Sequence, residues 1–158
     1  MAAVKEITLF IDPFSHHFLR DALFDLDSDR FGGDAILAPY VYLRSWFQER
    51  GVQVYTADRL VRKEVCSAQN VYISFDIQDN CRALAKRGDV ILSAFFAFES
   101  PVVEPSLYQN LIWVQRYFRR IYSLIDSESL KPFLRGPLHC QQFCMPQSFS
   151  RVNEEVWH

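Results

Sequence analysis

The chain has 158 residues, 49% of them apolar and 23% charged, with a net charge of −2 and a pI near 6.1. That balance excludes a disordered chain, and the absence of a clustered positive face excludes a nucleic-acid binder. A chain of this length buries about 70% of the surface its unfolded form exposes, which is enough for one domain.

Residues 5–12 place Ile7, Leu9 and Ile11 on one side and Thr8 and Phe10 on the other, then stop at Asp12-Pro13, as a strand ending in a turn does. Residues 13–33 are polar and irregular, with an acidic cluster of Asp21, Asp25, Asp27 and Asp29 closed by Gly32-Gly33. They are expected to form a long loop with a short helix around 18–26 and a solvated acidic surface. Residues 39–50 predict a helix, opened by Pro39 and stopped by Gly51, with Tyr40, Leu43 and Phe47 on one face. Strands are predicted over 52–57 and 71–77, and Asp79 caps a short helix that runs to Arg87.

Residues 90–98 are apolar throughout, as in a parallel strand buried on both faces. Pro105 opens a helix in which Leu107, Leu111, Val114 and Phe118 share a face. Short strands are predicted over 120–125 and 138–144. This alternation predicts an α/β fold: an open, mostly parallel Rossmann-like sheet with helices on both faces. The rich aromatic content, including 14 Phe and 7 Tyr, serves mainly to pack that core.

The N-terminus lacks the apolar segment of a signal peptide, and no apolar stretch approaches the roughly 20 residues that cross a bilayer. Four scattered cysteines (Cys66, Cys81, Cys140, Cys144) fit reduced thiols. These features predict a soluble cytoplasmic domain with no transmembrane segment. No metal site is expected. On an extended strand Cys140 and Cys144 would stand about 13 Å apart, and His139 adds no second ligand pair.

Ligands of open α/β sheets bind outside the carboxyl ends of the strands. That places Asp12 and His16-His17, Asp58, Asp76, and Glu99-Ser100-Pro101 at the candidate site. Glu99 closes the buried apolar strand beside Phe96 and Phe98, where partial desolvation would make a carboxylate a better base. Its bland alternative is a strand-terminal acid that caps the next segment or pairs with an arginine. His16 and His17 could hydrogen-bond sugar hydroxyls, and Tyr108 and Trp113 are read as packing on the sheet.

Phe98-Glu99-Ser100-Pro101, followed by Pro105, resembles the Phe-Glu-Ser-Pro segment of the α-1,3-fucosyltransferases, glycosyltransferase family 10. Tyr117-Phe118, Ile121-Tyr122-Ser123, Asp126 and Pro132-Phe133 are similar to the segment that follows in that family. Pro39-Tyr40 through Leu43, and Gly51 to Asp58, resemble the helix, turn and strand end of bacterial members. Leu124-Ile125 depart from the pattern, because the family often carries Tyr-Arg there.

The resemblance implies one half of a GT-B enzyme, with an acceptor glycan on this domain and a nucleotide sugar, typically GDP-fucose, on a C-terminal domain. It implies an inverting transfer without an essential metal or other cofactor, in bacterial surface polysaccharide synthesis. By motif position Glu99 is the implied catalytic base. The acceptor-binding candidates, chosen by their place at the strand ends, are His16, His17, Asp76 and Ser100. On this reading residues 1–145 form the acceptor domain, residues 146–158 begin a linker, and the fragment alone is inactive. No G-x-G-x-x-G or P-loop offers a phosphate cradle within it.

Two alternatives stand beside it. A stand-alone flavodoxin-like binding or regulatory module of the receiver type would want an acid pair near Asp12, an Asp such as Asp76, and a Lys after the fifth strand. The chain lacks the pair and the Lys. A catalytically silent homologue used for protein interaction is the other.

Overall fold

A computed structural model describes residues 6–28, 36–136 and 140–143. Six parallel strands form one open sheet in the order β2-β1-β3-β4-β5-β6. They are β1 (Ile7–Asp12), β2 (Gln53–Thr56), β3 (Gln69–Phe75), β4 (Val90–Ala97), β5 (Arg120–Ser123) and β6 (Cys140–Gln142). The helices are α1 (Ala38–Gln48), α2 (Ala57–Val61), α3 (Asp79–Leu84), α4 (Pro105–Gln109), α5 (Leu111–Tyr117) and α6 (Ser127–Leu130). The fold is therefore the open Rossmann-like α/β sheet that the alternation of elements predicts.

The sheet divides the core in two. Phe10, Tyr72, Leu92, Phe95 and Ile121 pack toward α2, α3, α4 and α5, through Leu60, Leu84, Leu107, Leu111 and Val114. Leu9, Ile11, Val54 and Phe75 pack on the other side against Tyr40, Leu43 and Phe47 of α1 and against Phe18, Leu23 and Phe24. Those last residues belong to a run of 3-10 turns, His16–Phe18, Ala22–Phe24 and Leu26–Ser28, which replaces the single short helix expected there. Gly51, at φ +76°, takes the left-handed residue that ends α1, and the next N–H, from Val52, donates to the Phe47 carbonyl at 3.0 Å.

The helix expected from Pro105 onward is two helices meeting at Asn110. The Asn110 amide donates back to the Ser106 carbonyl at 2.8 Å, so a side chain competes with the ladder of backbone bonds at the junction.

One irregularity in β4 matters for the site. Tyr72 of β3 pairs with Leu92, but the next residue, Ile73, pairs with Ala94, so Ser93 is an extra residue in β4. A one-residue shift exchanges the faces of everything downstream. Val90 and Leu92 face the α2–α5 side, and beyond the bulge Phe95 and Ala97 take over that side. Phe96 and Phe98 thereby turn to the α1 side, beside Phe75.

No helix among the described residues is long and apolar enough to cross a membrane. Residues 144–158, which include the expected linker and Cys144, lie outside the described residues, as do Asp29, Gly32, Gly33 and His139.

Candidate functional site

The parallel strands all point their carboxyl ends at one edge, so the residues ending β1, β2, β3 and β4 assemble there. β1 ends on Asp12, only 1% exposed. The Tyr72 hydroxyl donates to its Oδ2 at 2.7 Å, and the Asn80 amide to its Oδ1 at 3.1 Å. Burial pushes its pKa up to about 6; the Tyr72 and Asn80 bonds oppose the rise, while the Asp58 and Asp79 charges add to it. Burial, with Asp12 beside it, holds the Tyr72 phenol well above its ordinary value.

The end of β2 corrects the expectation for the acidic loop. Asp21 is a structural tie there. Its Oδ1 accepts from the Thr56 N–H at 2.9 Å, its Oδ2 from Arg59 Nε at 3.1 Å, and its own N–H donates to Thr56 Oγ1 at 2.9 Å. Asp58 is buried, with Oδ1 accepting from the Thr56 hydroxyl at 2.6 Å and from the Arg20 N–H at 3.1 Å. Its Oδ2 has no hydrogen bond among the described residues, and the Arg62 guanidinium approaches no closer than 4.0 Å.

At the end of β3 the chain turns through Asp76, whose φ is +58°. Its N–H donates to the Phe96 carbonyl at 2.9 Å, its Oδ1 accepts from the Phe98 N–H at 2.9 Å, and the Ser74 hydroxyl donates to its carbonyl at 2.7 Å. Burial raises its pKa to about 6, against the opposing Phe98 and Glu99 N–H groups and with help from the Glu99 and Glu104 charges. Tyr40 of α1, pushed to about 12 by burial and then by the Asp76 charge, faces the same carboxylate.

Glu99 follows β4. The expected desolvation does not fall on it, because its side chain is exposed, one residue past the point where the sheet buries anything. Its carbonyl accepts from the Tyr108 hydroxyl at 2.6 Å, which anchors the strand exit to α4. Ser100 opens a turn, with its carbonyl accepting from the Val103 and Glu104 N–H groups at 3.1 and 2.9 Å and its Oγ 3.4 Å from the Val103 nitrogen. His16 and His17 stand after β1 on the same edge, both exposed, with ring centroids 4.0 Å apart.

An aromatic wall borders this edge on the α1 side. Phe14 lies 6.4 Å from Tyr40, Tyr40 lies 5.5 Å from Phe75, and Phe75 lies 5.0 Å from Phe98, between ring centroids. Phe143 stands 5.5 Å beyond Phe98.

Asp76 and Glu99 are thus brought together, and Asp12 is brought beside Asp58 and Asp79. Sequence reasoning placed Tyr40 only as a packing residue and did not single out Asn80 or Tyr72. The alternation of β3, which sends Tyr72 to the opposite face from Ile73, is the one signal that pointed to the Tyr72 environment. Tyr108, 1% exposed, and the half-buried Trp113 both pack on the core as expected, and Trp113 also lies under Arg82 at 5.1 Å. Among the described residues no group of three or more His, Cys, Asp or Glu is arranged to hold a metal ion.

The fold and this edge define an open parallel α/β domain with carboxylates gathered at the strand ends. No protein-family model, curated protein or solved structure matches the chain.

Proposed function

We propose that this domain is the acceptor-binding half of an inverting glycosyltransferase, similar to the α-1,3-fucosyltransferases, with Glu99 as catalytic base. The observation that carries the reading is the position of Glu99. It is an exposed carboxylate at the carboxyl end of β4, on a backbone fixed by Asp76 and Tyr108, within the Phe98-Glu99-Ser100-Pro101 segment that carries the resemblance. Around it, the histidine pair, Ser100 and the second oxygen of Asp76 offer hydrogen bonds to sugar hydroxyls. The aromatic wall offers the apolar face on which a pyranose ring stacks.

The reaction runs as one displacement. Glu99 takes the proton of an acceptor hydroxyl while that oxygen attacks the anomeric carbon of the donor sugar. The bond from that carbon to the nucleoside diphosphate breaks on the opposite side, and the configuration inverts. The donor, GDP-fucose on this reading, is held by a separate nucleotide-sugar domain, and the setting is cytoplasmic assembly of a bacterial surface polysaccharide. In an enzyme that joins this domain to its donor half, Glu99→Gln lowers kcat by about 10²- to 10⁴-fold. Near-normal turnover of that variant would remove Glu99 from the base role. A wild-type enzyme that transfers no sugar from any nucleotide donor would remove the reading itself.

The strand order supports a second reading. Its first five positions follow the 2-1-3-4-5 order of flavodoxin-like domains, the architecture of a stand-alone binding or regulatory module. The module would use Asp12 and Asp76 at the same strand ends and would bind its ligand without transfer.

A further inference from the structure

The β3–β4 ladder is completed at its carboxyl end by a side chain. In a continuing parallel ladder, the residue that donates its N–H to Phe96 would accept from Phe98 through its own carbonyl. Asp76 makes the first of these bonds, at 2.9 Å, in the regular way. Its left-handed φ of +58° swings its carbonyl away to the Ser74 hydroxyl, and the carboxylate Oδ1 takes the Phe98 N–H in the carbonyl's place at 2.9 Å. The Glu99 N–H also favours the charged carboxylate. The Phe98 N–H, one residue before the proposed base, therefore depends on a charged group from the neighbouring strand.

We infer that Asp76 is a positioning residue for Glu99, and that its ionised carboxylate holds the exit of β4 in the geometry that presents the Glu99 side chain at the strand-end edge. The part that concerns catalysis rests on the transferase reading; the part that concerns the backbone does not. The groups facing Asp76 are Tyr40 from α1, Glu99 and Glu104 from the segment after β4, and Tyr108 from α4. The Glu99 and Glu104 charges disfavour its ionisation by proximity, and the Phe98 and Glu99 N–H groups favour it. Protonation near pH 6 consequently converts a charge-assisted acceptor into a weaker neutral one, and the hold on Glu99 slackens as the pH falls through that value.

Backbone ¹⁵N NMR of this chain across pH 4.5 to 8, with hydrogen exchange corrected for its intrinsic pH dependence, tests the inference directly. The Phe98 and Glu99 amide shifts should titrate together in the wild type, with a midpoint near 6. In Asp76→Asn, which tolerates the left-handed backbone and keeps an acceptor oxygen, that titration should vanish while the Phe98 amide stays protected. In Asp76→Ala, protection of the Phe98 amide should fall by about tenfold or more. Shifts at Phe98 and Glu99 that ignore pH in the wild type, or that still titrate in Asp76→Asn, overturn the inference even if the alanine variant does not fold. In the complete enzyme, Asp76→Asn should flatten the acid limb of the kcat profile, and an unchanged acid limb counts against the positioning role. An enzyme without transferase activity leaves the amide result standing, so the two readings fail separately.

Discussion

Asp12 and Asp76 end neighbouring strands, both are pushed to about pH 6 by burial, and they are held in opposite ways. Asp12 is met by side chains, the Tyr72 hydroxyl and the Asn80 amide, inside the wall of the larger core. Asp76 is met by main-chain N–H groups of the next strand and stands where the chain turns. A carboxylate satisfied by side chains can lose them one at a time without moving the backbone. One satisfied by backbone carries the path of the neighbouring strand with it. The first arrangement stabilises the core; the second couples a proton to the position of a loop.

The comparison can be broken by substitution. The largest effect is expected for Asp76→Ala, which removes the charge-assisted bond from Phe98 and leaves an alanine in the left-handed region; it should cost about 2–4 kcal/mol in urea unfolding at pH 7, whereas Asp76→Asn, which keeps an acceptor and removes the desolvated charge, should cost nothing or stabilise there. Next comes the pH dependence. Both folded values near 6 lie above the ordinary 3.8, so between them the folded chain binds protons that the unfolded chain does not. The contribution is fully present below about pH 4 and is lost as the pH rises through about 6, by roughly 2–3 kcal/mol for each group. Asp12→Asn should remove one share of that slope in unfolding measurements across pH 4 to 8, and Asp76→Asn the other.

Tyr72→Phe should cost about 1–3 kcal/mol at pH 8, where Asp12 is charged, and clearly less at pH 4.5, where it is not. An equal cost at both pH values would mean that the phenol serves packing alone. Asn80→Ala, at a half-buried position, should cost the least, about 0.5–1.5 kcal/mol, with the same pH trend.

The open parallel sheet was legible because its strands carry strong signals. Residues 90–97 are apolar on both faces, and α1 shows Tyr40, Leu43 and Phe47 on one stripe. The strand-end rule likewise brought Asp12, Asp58, Asp76 and Glu99 into view from position alone. The extra residue at Ser93 was not legible, since one small hydroxyl among apolar residues leaves the strand reading the same in either register. That hid which way Phe96 and Phe98 point, and with them the aromatic wall. The desolvation expected at Glu99 fell on Asp76 because burial follows the end of β3, tucked under Tyr40 and the β4 exit, and a sequence records no such cross-strand depth. α2 went unseen because Ala57–Val61 is a single turn of helix directly continuing a strand, with no breaker between them. The role of Asp21 was masked by its acidic neighbours, which made the whole loop read as solvated.

The central claim is the proposal that the edge at the ends of β3 and β4 receives a saccharide. It is tested most directly by adding a panel of neutral oligosaccharides to the ¹⁵N-labelled chain and mapping the amide shifts. The account predicts saturable changes confined to Phe14, the His16–Phe18 turn, Asp76 and the Phe98–Ser100 exit, reduced in Phe14→Ala and Asp76→Asn. Saturable changes gathered instead on the groove between α2 and α3, near Lys63 and Arg87, or no saturable change with any sugar in the panel, would contradict it.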